Sequence, residues 1–346
     1  MIFVGMDVSS KEFMVHAIRG NKKVVANTMA IRPDRSGMDV FLNSLGREKK
    51  YLVMEAGNQL KWIGLHLKTR KDVELHVVHP NEIKWINQSS KKTDKVDAKK
   101  MAELARIDGL PGKVYIPEGA VRKLRELISA RECLMKKRVD LINSLRGMMK
   151  QEGFGFPEKF FQSKNWQTIL KTLPLGETQK IIVENMMFAI EQMKVAEDSL
   201  MDEICKVEDP RIELLESIPS LGRLSARVLL SAIGEVDRFE NKKDLAKYGA
   251  LAPKIYQSGD VSRTGKTDNA GRKEVRRVLV QCAHTIGRMS KNKDAVPLYN
   301  FGQKILKKRN KKVATIALAR KLLCVAYGVL KNGEFYDPSC LMPKAA

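Results

Sequence analysis

The sequence is poor in the chemistry of sulfur and imidazole. Its 346 residues include five cysteines, Cys133, Cys205, Cys282, Cys324 and Cys340, scattered and odd in number. No CxxC pair and no Cys/His cluster occurs, which argues against a structural zinc, and the pattern suits a reducing compartment. The five histidines, His16, His66, His76, His79 and His284, form no ligand-spaced group. His79, just before Pro80, is expected to be structural. No GxxxxGK[ST] loop is present, so nothing points to a P-loop nucleotide site. The stretch MIFVGMDVSSKEF has neither a basic n-region nor a long apolar segment, so no signal peptide is expected. No uninterrupted apolar run approaches ~18 residues, so no membrane span is expected.

Acids are scarce as well: 40 Asp+Glu stand against 63 Lys+Arg, a formal charge of +23. Such an excess favours a polyanionic partner, because basic groups displace counterions condensed on phosphate backbones. Basic ribosomal or chromatin-like proteins share this balance, but they tend to be short or low in apolar content, whereas 43% of this chain is hydrophobic. The length predicts two or three domains. The expectation is a cytoplasmic, nucleoid-associated prokaryotic protein.

The first part alternates strands and helices. IFVGMDVS, EFMVHAIRG and KKVVANTMAI read as three strands in a meander, the last two joined by the turn signal GNKK. SGMDVFLNSLG reads as a helix opening on Ser36, KYLVMEAG as a fourth strand ending at Glu55, and QLKWIGLHLKT as a helix. VELHVVHP is a fifth strand. TDKVDAKKMAELARIDG is a helix with Thr93 as N-cap. From Glu118 to Gln151 the chain is helical, with Leu127, Leu134, Leu141 and Met148 at heptad spacing. A second segment from about Glu177 to Val207 carries Val183, Met186, Ile190, Met193, Leu200 and Ile204 on one stripe. The pair predicts an antiparallel coiled-coil arm or an oligomerisation element, with an ordinary helical bundle as the alternative. Beyond Pro210 come two helices around a tight PSLG turn and a Gly/Ser/Thr-rich loop from Gln257 to Gly271. The basic helix RKEVRRVLVQCAHTIGR and the final amphipathic helix KKVATIALARKLLCVAYGVLKNG follow. The expected domains are 1–115, 116–209 and 210–346.

The few isolated acids fall in a telling order. Asp7 ends the first strand and Glu55 the fourth; Asp94 and Asp97 lie on one helix face at i and i+3. With strand order 3-2-1-4-5, strands one and four are neighbours and their carboxylates converge at one sheet edge. Four carboxylates together repel unless divalent cations lie between them, and oxygen-only ligands suit Mg²⁺ or Mn²⁺. Two such ions ~4 Å apart can clamp a phosphodiester. A meander followed by alternating helices and strands, with acids at strand ends, is the plan of the α/β ribonuclease H-like fold. Lys91, Lys92, Lys95, Lys99 and Lys100 then read as phosphate contacts; a solvated helix face is the competing reading.

GMDVSSKEF, MEAG and KKTDKVDA resemble the three blocks of the DEDD transposases of insertion sequences, relatives of the pilin-gene DNA invertases. IPSLGRLSARVLLSAIGEVDRFENKKDLAKYGALAP, QSGD and LARKLLCVAYGVLKNGEFY are similar to the family's second, mainly α transposase domain. The resemblance implies a RuvC-like first domain whose Asp7, Glu55, Asp94 and Asp97 hold Mg²⁺. It implies a serine, here Ser258, that attacks a DNA phosphate and becomes covalently linked to it. It also implies donor and target DNA as substrates, a structured non-coding RNA that pairs with both, and a tetramer, a dimer of dimers sharing active sites. Three positions depart from the family's pattern. AGNQ follows Glu55, Ser220 stands in the turn where a glycine is usual, and Ser262 is a second candidate nucleophile. A nuclease using water, a protein-guided invertase and a noncatalytic nucleic-acid-binding protein are the alternatives.

Further basic residues extend the expected nucleic-acid surface. Arg223 and Arg227 would reinforce a phosphate site at the helix N-terminus in PSLGRLSARVL, and a tight helical turn is the alternative there. Arg263, Lys266, Arg272 and Lys273 flank the serine loop. Lys304, Lys307, Lys308, Arg309, Lys311 and Lys312 form a run without acids that reads as an RNA or DNA contact, with a solvated, nonspecific face as the alternative. Trp62, Trp85 and Trp166 are expected in cores or interfaces, with stacking on unpaired bases open to Trp85.

Overall fold

A computed structural model of the chain describes residues 1–83, 94–258, 261–267 and 271–341. Two compact units divide it, Met1–Ile116 and Pro117–Ala346. In the first, strands β1 (Ile2–Val8), β2 (Phe13–Arg19), β3 (Val24–Ile31), β4 (Lys50–Glu55) and β5 (Val73–Val78) form one sheet of order β3-β2-β1-β4-β5. The first three are antiparallel neighbours, while β1–β4 and β4–β5 run parallel. Between and after them lie α1 (Arg35–Ser44), α2 (Leu60–Lys68), the single turn α3 (Pro80–Ile83) and α4 (Asp94–Arg106).

Strand alternation sorts the side chains onto two layers. Ile2, Val4, Met6, Leu52 and Met54 are buried on one face against Met38, Phe41 and Leu42 of α1 and Ile63 and Leu67 of α2. Val53 and Val78 face the other way, onto Met101 and Ala105 of α4. Helix α1 opens on Asp34 rather than Ser36: the Asp34 carboxylate accepts from Gly37 N at 2.6 Å, while Ser36 Oγ accepts from Arg32. Lys50 is 1% exposed and donates to Asp72 at 2.8 Å, and Arg70 holds the same carboxylate. Hydrogen bonds from Arg70, assisted by Lys50 and opposed by burial, hold the Asp72 carboxyl down at about 2.

The second unit is mostly helical. It contains α5 (Gly119–Gln151), α6 (Trp166–Lys171), α7 (Glu177–Cys205), α8 (Pro210–Glu216), α9 (Arg223–Ile233) and α10 (Lys242–Tyr248). The strand pair β6 (Pro253–Ser258) and β7 (Val261–Thr267) comes next, then α11 (Lys273–Ile286), α12 (Val296–Leu306) and α13 (Lys311–Asn332). Helices α5 and α7 pack along each other. On α7 the buried positions Val183, Ile190, Glu197 and Ile204 recur every seven residues, with Met187 between them. Glu197 is the surprise in that apolar seam. It is 1% exposed, and Arg138 of α5 grips it through Nε at 2.6 Å and Nη2 at 3.1 Å. Trp166 joins the cluster of aromatic and aliphatic side chains where the two long helices connect.

Helix α13 departs from the expectation drawn from apolar runs: it is long and apolar enough to cross a membrane. Here its Leu318, Leu322, Leu323 and Ala326 are fully or nearly buried in the core shared with α9 and α11. Its end is set by Gly333, at φ 70, in the left-handed region that glycine adopts without penalty.

Candidate functional site

The first unit brings the separated acids of strands one and four together. Residues of β1 and β4 pair in parallel from Ile2↔Lys50 to Met6↔Met54, so one further step sets Asp7 beside Glu55. Neighbouring strands lie ~4.8 Å apart. Met6 and Met54 belong to the layer under α1 and α2, so alternation turns Asp7 and Glu55 to the face covered by α4. They share the C-terminal edge of two parallel strands, where open α/β sheets place their sites.

Helix α4 reaches that edge because small residues let its backbone touch the sheet. A Cβ on Gly5 would lie 1.9 Å from Ala98 O and 2.7 Å from Ala102 N. Ala98 and Ala102 are themselves wholly buried. Asp97 immediately precedes Ala98, and its Oδ1 is buried with no hydrogen-bond partner. A buried carboxylate oxygen without a partner calls for a water or a cation. Asp94 lies in the first turn of α4, one turn before Asp97; its side chain and that of Lys95 are outside the described residues, as are Thr93, Trp85, Lys91 and Lys92. Among the described residues no three His, Cys, Asp or Glu side chains gather closely enough to enclose a metal ion. The oxygen-only donor set and the orphaned Asp97 Oδ1 nonetheless fit a hard divalent cation.

Beside the acids, His16 of β2 pairs with Gly5 and is 2% exposed. Burial, reinforced by the Lys99 ammonium and opposed by Glu103, pushes its imidazole below the ordinary range. Its Nδ1 meets Thr28 Oγ1 at 3.0 Å. His79 Nδ1 accepts from Asn81 N at 3.2 Å.

One contributor escaped the sequence reading. Gln59 donates from Nε2 to Ser9 O at 2.7 Å and accepts from Trp62 Nε1 at 3.1 Å. Ser9 follows β1 and Gln59 follows β4, so this side chain straps together the two loops that leave Asp7 and Glu55. Trp62 in turn stacks on Phe13, ring centroids 5.9 Å apart. The AGNQ departure after Glu55 is therefore a fastening between loops; only the nearness of β1 and β4 in space reveals it.

In the second unit Ser258 is the last residue of β6 and pairs with Val261 of β7, while Ser262 pairs with Gln257 one step further on. The expected loop from Gln257 to Gly271 is thus corrected to a hairpin. Val261, Thr264 and Thr267 supply β-branched residues; the Gly, Ser and Thr content of the stretch hid that signal. The side chains of Ser258, Ser262, Arg263 and Lys266 lie outside the described residues. Where the chain leaves the hairpin, Arg272 N donates to Tyr248 O at 2.7 Å. The Arg272 guanidinium binds the Tyr248 hydroxyl and Glu274. Burial alone would raise the Tyr248 phenol, but the Arg272 and Arg238 cations outweigh it and draw it below the ordinary range. Arg272 thus fastens the start of α11 to Tyr248 of α10, and Lys273 beside it is exposed.

The expected phosphate site at the start of α9 needs a correction. Arg223 is exposed, but Arg227 is buried at 9% exposure. Its guanidinium donates to Ile204 O, Cys205 O, Arg223 O and Glu216. Those bonds tie α9 to the end of α7 and commit the Arg227 guanidinium to protein partners. Ser220, in the turn before α9, has φ 73, the left-handed conformation for which glycine would be the easier residue.

Comparison with known proteins accounts for both units. Residues 4–153 match the DEDD transposases of the IS110 type, and residues 212–298 match the transposase family of IS116, IS110 and IS902. A Sinorhizobium fredii protein bearing a transposase name, y4rJ, is 24% identical over 96% of this chain and 92% of its own length. The transposase for insertion sequence element IS1111A of Coxiella burnetii is 23% identical over 82% of this chain and 79% of its own length. The pilin gene-inverting protein of Moraxella bovis is 33% identical over 37% of this chain and 39% of its own length. Two family matches on the two units, and relatives aligned through most of both chains, identify an enzyme that acts on DNA: the chain belongs to the IS110-type DEDD transposase family of insertion sequences.

Proposed function

We propose that this transposase is a recombinase that cuts and rejoins DNA through a covalent phosphoserine intermediate, with Asp7, Glu55, Asp94 and Asp97 in a RuvC-like, ribonuclease H-like site. The observation that carries the reading is the convergence of Asp7 and Glu55 on adjacent strand ends, under a helix that presents Asp97 with an unpartnered buried oxygen. The strand order β3-β2-β1-β4-β5 supports the fold assignment. The four acids would hold Mg²⁺, or Mn²⁺ in its place. Such an ion, when bound, supplies charge neutralisation at a phosphodiester and lowers the pKa of a coordinated hydroxyl.

The remaining work falls to the protein. Asp7, Glu55 and Asp97 would hold the cation that must stand between their carboxylates and a phosphate, and the Gln59 strap keeps the two acid-bearing loops at one spacing. Ser258, at the tip of the β6–β7 hairpin, attacks phosphorus. A serine–phosphate ester forms, a strand P–O bond breaks, and the proton lost by the serine balances the one gained by the leaving oxygen. The ester keeps the energy of the phosphodiester, so strands can be exchanged and resealed without nucleotide hydrolysis. Lys99, Arg223 and Lys273, all exposed, would meet phosphates in this scheme, and the same role is assigned to Lys91, Lys92, Lys95, Arg263 and Lys266.

Donor and target DNA are the substrates, and a structured non-coding RNA is the guide, in a cytoplasmic, nucleoid-associated setting. Assembly into a tetramer is supported by a second heptad stripe on α7, facing away from its buried seam. Ile181, Phe188 and Val195 recur every seven residues and are 61%, 65% and 60% exposed.

The decisive experiment is Ser258→Ala with Mg²⁺ and element-end DNA. Loss of a protein–DNA adduct and of strand cleavage supports the serine mechanism. Undiminished cleavage would assign the attack to water and refute it. Ser262→Ala, run alongside, should keep the adduct. Sequencing the nucleic acid that copurifies tests the guide: one discrete structured RNA supports it, and full recombination by RNA-free protein refutes it.

A further inference from the structure

A concave groove lies among α11, α12 and α13, with a volume of about 640 Å³. That falls inside the ~300–1,000 Å³ range of clefts that engulf small molecules. Its floor is apolar and close-packed: Ala283, Ala314 and Leu318 are buried there. Gly302 brings α12 so near α13 that a Cβ would stand 3.3 Å from Leu318 Cδ2. Around the floor stand one aromatic ring, Tyr299, two amides, Gln281 and Gln303, and three basic side chains, His284, Arg288 and Lys311. Among the described residues no aspartate or glutamate lines it. Between the lining residues Leu306 and Lys311 the chain carries the exposed cations Lys307, Lys308 and Arg309, with exposed Lys304 and Lys312 in the adjoining helix ends.

We propose that this groove seats one unpaired nucleotide of a bound polynucleotide. A regular duplex presents phosphates to a convex or flat basic surface and has no use for a recess with an apolar floor. An extruded base does: its faces need an aromatic or apolar surface and its edge needs amide donors and acceptors. Its flanking phosphates need cations and no carboxylates. Gln281 and Gln303 each offer both a donor and an acceptor, and the adjoining lysines continue the track along which the flanking backbone runs. The shared chemistry is a nucleotide, and RNA and DNA are its two sources. This assignment rests on the chain's binding of nucleic acid and is independent of the serine mechanism.

The test uses the full chain and labelled hairpins, fully paired or carrying a single bulged nucleotide, each made as RNA and as DNA, with affinities read by fluorescence anisotropy. The bulge should tighten binding by about tenfold in at least one of the two, as stacking of one base on an aromatic group allows. The backbone that shows the preference names the source. Tyr299→Leu should abolish the preference while leaving affinity for the paired hairpin within twofold. Because Tyr299 is partly buried against the core, the double variant Gln281→Ala/Gln303→Ala is the parallel test, with circular dichroism confirming the fold of each. A 4-thio-substituted base at the bulge should crosslink to the peptide containing Tyr299. Equal binding of paired and bulged hairpins overturns the groove assignment alone. Displacement of the bulged hairpin by polyglutamate as readily as by a mononucleotide overturns it in favour of an acidic peptide. Failure to bind any hairpin overturns the nucleic-acid reading itself.

Discussion

Gly5→Ala is the sharpest probe of how the acids are brought together. The added Cβ meets Ala98 O at 1.9 Å, Ala102 N at 2.7 Å and the Ala98 carbonyl carbon at 3.0 Å. An ordinary carbon–oxygen contact is about 3.3 Å, so α4 must retreat by roughly 1.4 Å. Both sides of the clash are backbone, and no rotamer change relieves it. Overpacking of this kind costs typically about 1–3 kcal/mol, and the absence of any yielding side chain puts this case near 3. In a unit of this size each kcal/mol moves the melting temperature by about 4 °C or more, so a drop of about 12 °C is expected. Asp97 is bonded to Ala98 and must move with it, away from Asp7 and Glu55. A 1 Å misplacement can cost about 100-fold in rate, and DNA cleavage should fall by about that factor. Thermal unfolding followed by circular dichroism and a Mg²⁺-dependent cleavage assay read the two effects. Gly20→Ala is the control: its Cβ meets nothing within 4 Å, and it should change stability by less than about 0.5 kcal/mol. A Gly5→Ala protein that melts within 2 °C of wild type and cleaves normally would refute the packing argument and, with it, the coupling of α4 to the acid pair.

Two further outcomes are expected. Gln59→Ala removes the strap between the loops after β1 and β4. It should cost about 1–3 kcal/mol for two hydrogen bonds and lower cleavage more than it lowers DNA binding, with Gln59→Glu, which cannot donate to Ser9 O, no better; a gel-shift and cleavage comparison checks this. Asp72→Ala leaves the buried Lys50 ammonium without its carboxylate and should cost about 3 kcal/mol at pH 7 in urea unfolding. Asp72 titrates at about 2 in the folded chain against about 3.9 unfolded. Its contribution is therefore full above pH ~4 and is lost as pH falls through the folded value, and the difference between variant and wild type should close near pH 2.

What could be read in advance follows a physical line. The five strands, the helices carrying Asp97 and Leu127, and the final helix declare themselves through local periodicity, and the order of strands and acids constrains the sheet enough to bring Asp7 and Glu55 together. Helix α12, VPLYNFGQKIL, was not legible, because Pro297 and Gly302 read as breakers; Pro297 sits in the first turn, where its missing N–H costs nothing. The β6–β7 hairpin was hidden by turn-forming residues. The burial of Arg227 was not legible because two of its partners are the carbonyls of Ile204 and Cys205, more than twenty residues away in the chain. Gln59 is the same case: Ser9 and Gln59 are 50 residues apart in sequence. Periodicity reports which face of an element is buried, and it is silent about which polar groups meet across elements.

The Arg138–Glu197 pair sets the behaviour of the two long helices as a mechanical object. Sliding α7 along α5 by one heptad would keep aliphatic side chains in contact but would leave a carboxylate and a guanidinium each facing hydrocarbon, a penalty of several kcal/mol per ion. The helices are therefore keyed like a ratchet with one tooth. Helix α5, at 33 residues, spans about 50 Å, and this one polar tooth fixes the register of α7 along it.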